Sequence, residues 1–129
     1  QTDCSASLYM DRYEYTGGAH GNTIRTSQTW NVPKACRFSL NQMLRSCGDP
    51  KHDLLEHIQS QIAQNPENYF DNASMLAIKT FDSSRFYCTA QGLVVYYQPY
   101  DIAPHSSGIP EFLIPYSELV CDPQQLCAV

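Results

Sequence analysis

The chain has 129 residues, 43% of them hydrophobic and 16% charged, the balance of one folded domain rather than a disordered segment or two independent cores. Its net charge is -5 and its eight lysines and arginines are scattered singly, so no basic stripe can neutralise a phosphate backbone; nucleic acid is excluded as an expected partner. No apolar run approaches the ~20 residues of a membrane-spanning helix, and the opening QTDCSASLYM lacks the basic and apolar regions of a signal peptide.

Ser7 to Thr16 carries Tyr9, Tyr13 and Tyr15 near a period of two and predicts a strand ending at Gly17-Gly18. Thr23 to Asn31 alternates Ile24, Thr26, Gln28 and Trp30 against Thr23, Arg25, Ser27 and Thr29, a second strand, so the intervening GGAHGN reads as a hairpin connection. Pro33 breaks that strand, and Leu40, Met43 and Leu44 space a short helix within residues 38–46. Asp49-Pro50 is a helix start, because Asp accepts free amide hydrogens and proline loses nothing at the first helical position. Leu54, Leu55, Ile58 and Ile62 then share one face of the main helix, which stops near Asn65-Pro66. Tyr69 and Phe70 are expected to pack inward and Met75 to Phe81 to form a strand. Arg85 to Thr89 and Leu93 to Gln98 predict a second hairpin around Gly92, and Glu111 to Tyr116 a last strand. The pattern is α+β: a single domain over residues 1–129, an antiparallel sheet with one main helix on one face. A helical turn at Ser117 to Cys121 and a tail to Cys127 close it.

Six cysteines, Cys4, Cys36, Cys47, Cys88, Cys121 and Cys127, include no Cys-x-x-Cys pair that would suggest zinc or a redox site. Disulfides in an oxidising compartment are the expected reading, against buried free thiols in a reducing one. Cys36 with Cys47 and Cys121 with Cys127 are the local pairings, leaving Cys4 with Cys88, but spacing does not choose among the alternatives.

The stretch from Gly92 to Leu119 runs strand, long loop, strand. Pro99, Pro104, Gly108 and Pro110 punctuate the loop, and prolines restrict its conformations, so it is a stiff surface on which a binding site is commonly placed. Tyr100, Asp101, His105, Ser106 and Ser107 are its expected exposed side chains; the alternative is that Tyr100 and Ile102 tuck under the loop to cover the core.

Catalytic signatures are weak. His20 sits among glycines, where it serves more simply as a turn residue than as an acid, base or ligand. His52 and His57 lie roughly 140° apart on a helix, so they cannot share a metal on one face. The glycines at Gly17, Gly18 and Gly21 precede a strand, not the helix a phosphate cradle needs. Ser106 or Ser107 beside a histidine is ordinary turn composition, and Asp101 with Glu111 has no spacing that selects a glycosidase pair. The expectation is no catalysis, no metal and no cofactor. Asn72-Ala73-Ser74 is a sequon that matters only where secreted proteins are glycosylated.

Two segments, YEYTGGAHGNTIRTSQTWN (Tyr13 to Asn31) and GLVVYYQPYDIAPHSSGIPEFLIPYSEL (Gly92 to Leu119), together resemble the C-terminal domain of unknown function found in the lysozyme-sensing anti-sigma factor RsiV and in PdaC-type peptidoglycan deacetylases. The resemblance implies an extracytoplasmic bacterial domain, secreted or displayed at the cell surface, that binds a lysozyme-like protein or cell-wall glycan. It makes the 17–22 loop, with His20 and Asn22, and the 100–109 loop, with Tyr100, Asp101, Pro104, His105, Ser106, Ser107 and Ile109, the contact candidates. This chain departs from the family at His105, where tyrosine is common, and in its six cysteines. Few residues precede the Tyr13 motif where the family has further strands and a helix, so either the chain is a fragment of a longer protein or a partner or second copy is expected to supply that layer. The leading expectation is a non-catalytic recognition module. The alternatives are a structural subunit of an extracellular assembly and, less favoured, an enzyme on wall polysaccharide that would need His20.

Overall fold

A computed structural model describes residues 5–15, 21–32, 34–37, 39–40, 42 and 50–115. The first two strands, β1 (Ser5–Glu14) and β2 (Asn22–Asn31), form an antiparallel hairpin in continuous register from Ser5 opposite Asn31 to Glu14 opposite Asn22. A two-residue strand, β3 (Cys36–Arg37), pairs with Trp30 and Asn31 at the far end of β2. A second antiparallel sheet is built from β4 (Phe86–Cys88), β5 (Gly92–Tyr96) and β6 (Glu111–Pro115), with β5 at its centre. The α+β class is as expected, but the single sheet is in fact two three-stranded sheets.

The main helix, α1 (Pro50–Gln64), lies where its start signal and apolar spacing put it, with Leu54, Ile58 and Ile62 buried at intervals of four. A second helix, α2 (Ala73–Lys79), replaces the strand expected over residues 75–81. The segment ASMLAIK is a short apolar run, which periodicity alone cannot divide between strand and helix. Burial decides for the helix: Ala73 and Ala77, four apart, face the core while Met75 and Ile78 face solvent. Leu40 is also in the core, but most of the 38–46 segment, the turn after Tyr116 and the cysteine tail lie outside the described residues. Among the described residues no helix is long and apolar enough to cross a membrane, which says nothing of a β-barrel.

The core fills the space between the helices and one face of the second sheet. Leu93, Val95, Phe112 and Ile114 meet Leu54, Ile58 and Ala77 there, with Tyr69, Leu76 and Phe81 partly buried at the margin. Every residue of β5 is buried, which explains its continuous apolar run: the helices cover one face and the β1–β2 hairpin covers the other. Tyr97 continues the strand inward, and its phenol donates to the Ala77 carbonyl at 2.7 Å. Burial, with a smaller push from the Asp101 charge, raises its pKa well above the ordinary tyrosine value.

No disulfide is seen among the described residues, and each expected pairing includes a cysteine outside them. Cys36 has an exposed free thiol on β3, and Cys88 is buried in the core, 7% exposed. Cys4, Cys47, Cys121 and Cys127 lie outside the described residues.

Gly92 opens β5 against the end of β6. A Cβ there would meet the carbonyl carbon of Ile114 and the Cα of Pro115, both at 2.9 Å, and strand backbone does not swing aside as a side chain would. Gly92→Ala is expected to cost about 1–3 kcal/mol, as overpacked sites do. The measurement is a lower urea midpoint at unchanged slope.

Candidate functional site

The loop between β5 and β6 is rigid for reasons the sequence half shows. Gln98, Pro99, Tyr100 and Asp101 form a turn closed by the Asp101 amide donating to the Gln98 carbonyl at 3.1 Å. Tyr100 occupies the third position with φ of 73°, the pattern of a type II turn with proline second. That position ordinarily takes glycine, so a tyrosine there is strained, and the residue is 50% exposed. The Asp101 carboxylate accepts from the Gln98 amide at 3.0 Å and from Arg85 Nη1 at 2.8 Å, so it is a structural brace and not an open contact residue. Ile102 and Ala103 dip into the core, and the Phe70 amide donates to the Ile102 carbonyl at 3.0 Å. Of the two residues that could have tucked under the loop, Ile102 does and Tyr100 does not.

A one-turn 3-10 helix (His105–Ser107) follows, with the Ser107 hydroxyl donating to the Asn68 carbonyl at 3.0 Å. This bond ties the loop to a second 3-10 turn, Pro66–Asn68. Between them lies a groove of about 530 Å³ bounded by Glu67, Asn68, Tyr69, Pro104, Ser106, Ser107, Ile109, Pro110 and Glu111. Four of the sequence candidates therefore converge: Pro104, Ser106, Ser107 and Ile109. Tyr100 and Asp101 line no part of this groove. Asn22 is exposed opposite Glu14 at the end of the hairpin, and His20 lies outside the described residues. His105 opens the 3-10 turn by its backbone. Sequence reasoning missed Glu67, Asn68 and Tyr69, because nothing in an Asn-Pro-Glu-Asn turn marks its contact with a loop some forty residues later.

Behind the loop, the two sheets are joined through Arg25. Its guanidinium is only 8% exposed and forms a paired contact with Asp11, Nε to Oδ1 at 2.7 Å and Nη2 to Oδ2 at 3.0 Å. Nη1 donates to Glu111 of β6, and the guanidinium carbon stands 4.1 Å from the centre of the Tyr9 ring. Gln98 clamps the same residue's backbone: its Oε1 accepts from the Arg25 amide at 2.9 Å and its Nε2 donates to the Arg25 carbonyl at 2.7 Å. The side-chain amide thus stands in for a neighbouring strand. Ser27 adds a bond to the Tyr96 hydroxyl at 2.8 Å and donates to the Phe86 carbonyl at 2.6 Å. Tyr9 stacks on Tyr87 with ring centres 4.9 Å apart. Two clefts open beside this junction, of about 490 and 380 Å³, sharing Ser27, Gln28, Arg37 and Ser84. Among the described residues no three His, Cys, Asp or Glu side chains converge as a metal site.

Residues 44–117, more than half of the chain, match the family model described as a protein of unknown function, DUF3298. The chain belongs to the DUF3298 family. The matched segment contains both helices, the whole second sheet and the loop groove. The chain is also similar to the peptidoglycan-N-acetylmuramic acid deacetylase PdaC of Bacillus subtilis strain 168, 24% identical over 102 residues, which are 77% of this chain and 22% of that protein. A solved DUF3298 structure from Bacteroides fragilis NCTC 9343 matches with a TM-score of 0.66 at 24% identity, over 95% of this chain and 50% of that one. Another, from Pseudomonas aeruginosa PAO1, matches with a TM-score of 0.67 at 24% identity, over 93% and 56%. The chain spans about a fifth of the curated relative and about half of each solved one, and at this identity the likeness carries the fold.

Two measurements follow from the geometry. The Arg25 hydrogen bonds and charge hold the Asp11 carboxyl below its ordinary value, against an opposing push from burial. A depressed carboxyl stabilises the fold above its unfolded pKa and loses that contribution as pH falls through the folded value. Asp11→Asn should therefore flatten the acid limb of a stability–pH curve. Arg25→Met should cost about 1–3 kcal/mol, less than a fully buried pair because both carboxylates remain partly solvated. Tyr100→Gly, which relieves the positive φ, is expected to raise stability by about 1 kcal/mol in urea unfolding.

Proposed function

We propose that this DUF3298 domain is a non-catalytic, extracytoplasmic recognition module that binds a bacterial cell-wall glycan in the groove between the 66–68 turn and the 104–110 loop. The composition of that groove carries the reading. Asn68 and Ser106 contribute amide and hydroxyl groups to a mostly polar lining that also includes Pro104, Ile109 and Tyr69, a mixture that suits a sugar with its hydroxyl edge and apolar ring face. The groove's backbone is braced from both sides, by Ser107 on Asn68 and by Phe70 on Ile102, so little ordering is needed on binding.

Its polar groups are already engaged in ways that do not favour bond cleavage. The Ser107 hydroxyl donates to a carbonyl and not to a base, and Glu111 is drawn to Arg25. The name of the PdaC relative, a deacetylase acting on peptidoglycan N-acetylmuramic acid, supports a wall glycan as the ligand class. A lysozyme-like protein, the RsiV-type form of the reading, is favoured by a different observation: the strained, half-exposed Tyr100 at the loop tip, a rigid aromatic of the kind that anchors protein interfaces.

Calorimetric titration with soluble peptidoglycan fragments, and separately with hen-type lysozyme, tests both forms. Fragments should bind, and Asn68→Ala or Ser106→Ala should each weaken binding about tenfold, the loss of roughly one hydrogen bond. Heat with lysozyme alone, sensitive to Tyr100→Gly and not to the groove variants, would transfer the function to the loop tip. No heat with either would sink the recognition reading.

A further inference from the structure

The outward face of the hairpin holds a second set of residues that the loop groove does not use. Strand alternation puts Leu8 and Met10 of β1 on the same face as Gln28 and Trp30 of β2. Trp30, the single tryptophan of the chain, is 36% exposed, and its Nε1 donates to Gln28 Oε1 at 3.2 Å. Arg37 lies directly across from Trp30 in the β2–β3 pair and is exposed. Arg12, Arg25 and Arg85 are each held by carboxylates, Glu14, Asp11 with Glu111, and Asp82 with Asp101. Arg37 makes no ion pair among the described residues. Gln28 and Arg37 also line both inter-sheet clefts, so the platform continues into hydrogen-bonding space beside Ser27 and Ser84.

An exposed indole offers a face for the C–H side of a sugar ring, the Gln28 amide serves a ring hydroxyl, and a guanidinium with no ion pair among the described residues prefers an oxyanion, which it can hold through two parallel N–H groups. A neutral glycan would leave that guanidinium unused; a plain anion would leave the indole unused. From this we infer that Trp30, Gln28 and Arg37 form a second binding site, for a sugar bearing an oxyanion, with Arg37 reading the charge and Trp30 the ring. The inference rests on the wall-glycan reading for its ligand class, but it assigns a different face of the domain and a requirement for charge.

The lone tryptophan reports directly on this site. Intrinsic fluorescence is followed while the intact chain is titrated with the disaccharide N-acetylglucosaminyl-N-acetylmuramic acid, with a glucosamine phosphate, and with neutral N,N'-diacetylchitobiose. The expected result is saturable quenching or a wavelength shift with the carboxylate sugar, at least tenfold weaker with the neutral one. Arg37→Gln should abolish that difference, and the groove variants Asn68→Ala and Ser106→Ala should leave it intact. Equal or tighter binding of the phosphate sugar also supports the oxyanion site and points to a phosphate-bearing polymer as its source. Three results overturn it: no fluorescence change with either anion, equal response to the neutral sugar, or an Arg37→Gln protein that keeps the preference. The loop groove is read separately by calorimetry with the groove variants, so failure at Trp30 is distinguishable from failure of the loop groove. Circular dichroism of Arg37→Gln checks that the variant is folded.

Discussion

A buried guanidinium holds the two halves of this protein together. The hairpin turns a polar face toward the second sheet, Thr23, Arg25, Ser27 and Thr29 in alternation, and such a face cannot be buried by apolar contact. Charge removed from water is costly unless it is paired and hydrogen-bonded, so Arg25 requires both Asp11 beside it and Glu111 from the other sheet. The pairing is directional, as a hydrophobic contact is not, so it sets where β2 lies across β5. Gln98 and Ser27 then satisfy the remaining strand groups.

This junction has consequences for the surfaces. Gln98 is the residue from which the β5–β6 loop departs, and Asp101, three positions on, braces the same turn through Arg85. The loop is therefore anchored to the sheet junction at one end and to the 66–68 turn at the other, which keeps the groove between them open and preshaped. Because the hairpin's polar side is consumed inward, its apolar and aromatic side is left outward, with Leu8, Met10 and Trp30 in solvent. A sheet face of that kind is unusual for a small domain without a ligand or partner, and it sits beside Arg37, which has no ion pair among the described residues.

Legibility of the site differed by residue. Loop rigidity was visible in its prolines, and Ser106, Ser107, Pro104 and Ile109 do meet in one groove. Asp101 braces its turn through Arg85, a partner that no local pattern around a turn carboxylate locates. Glu67, Asn68 and Tyr69 carried no sequence signal because their role comes from a contact across the chain. The same holds for Gln98, an ordinary glutamine until its amide is found standing in for a strand at Arg25. Alternation in β2 was legible, but which side faced inward was not, because the Arg25 pairing that decides it depends on Glu111 from the other sheet.

Local rules alone determined the hairpin, the start and face of the main helix, the β5 strand and the stiffness of its following loop. These follow from periodicity, caps and proline geometry, which act within a few residues. Tertiary structure decided that residues 73–79 coil into a helix, because only the core tells Ala73 and Ala77 from Met75 and Ile78. It also split the strands into two sheets, turned the polar face of β2 inward and brought the 66–68 turn against the 104–110 loop. Each of those outcomes depends on partners distant in sequence, whose contacts no local pattern encodes.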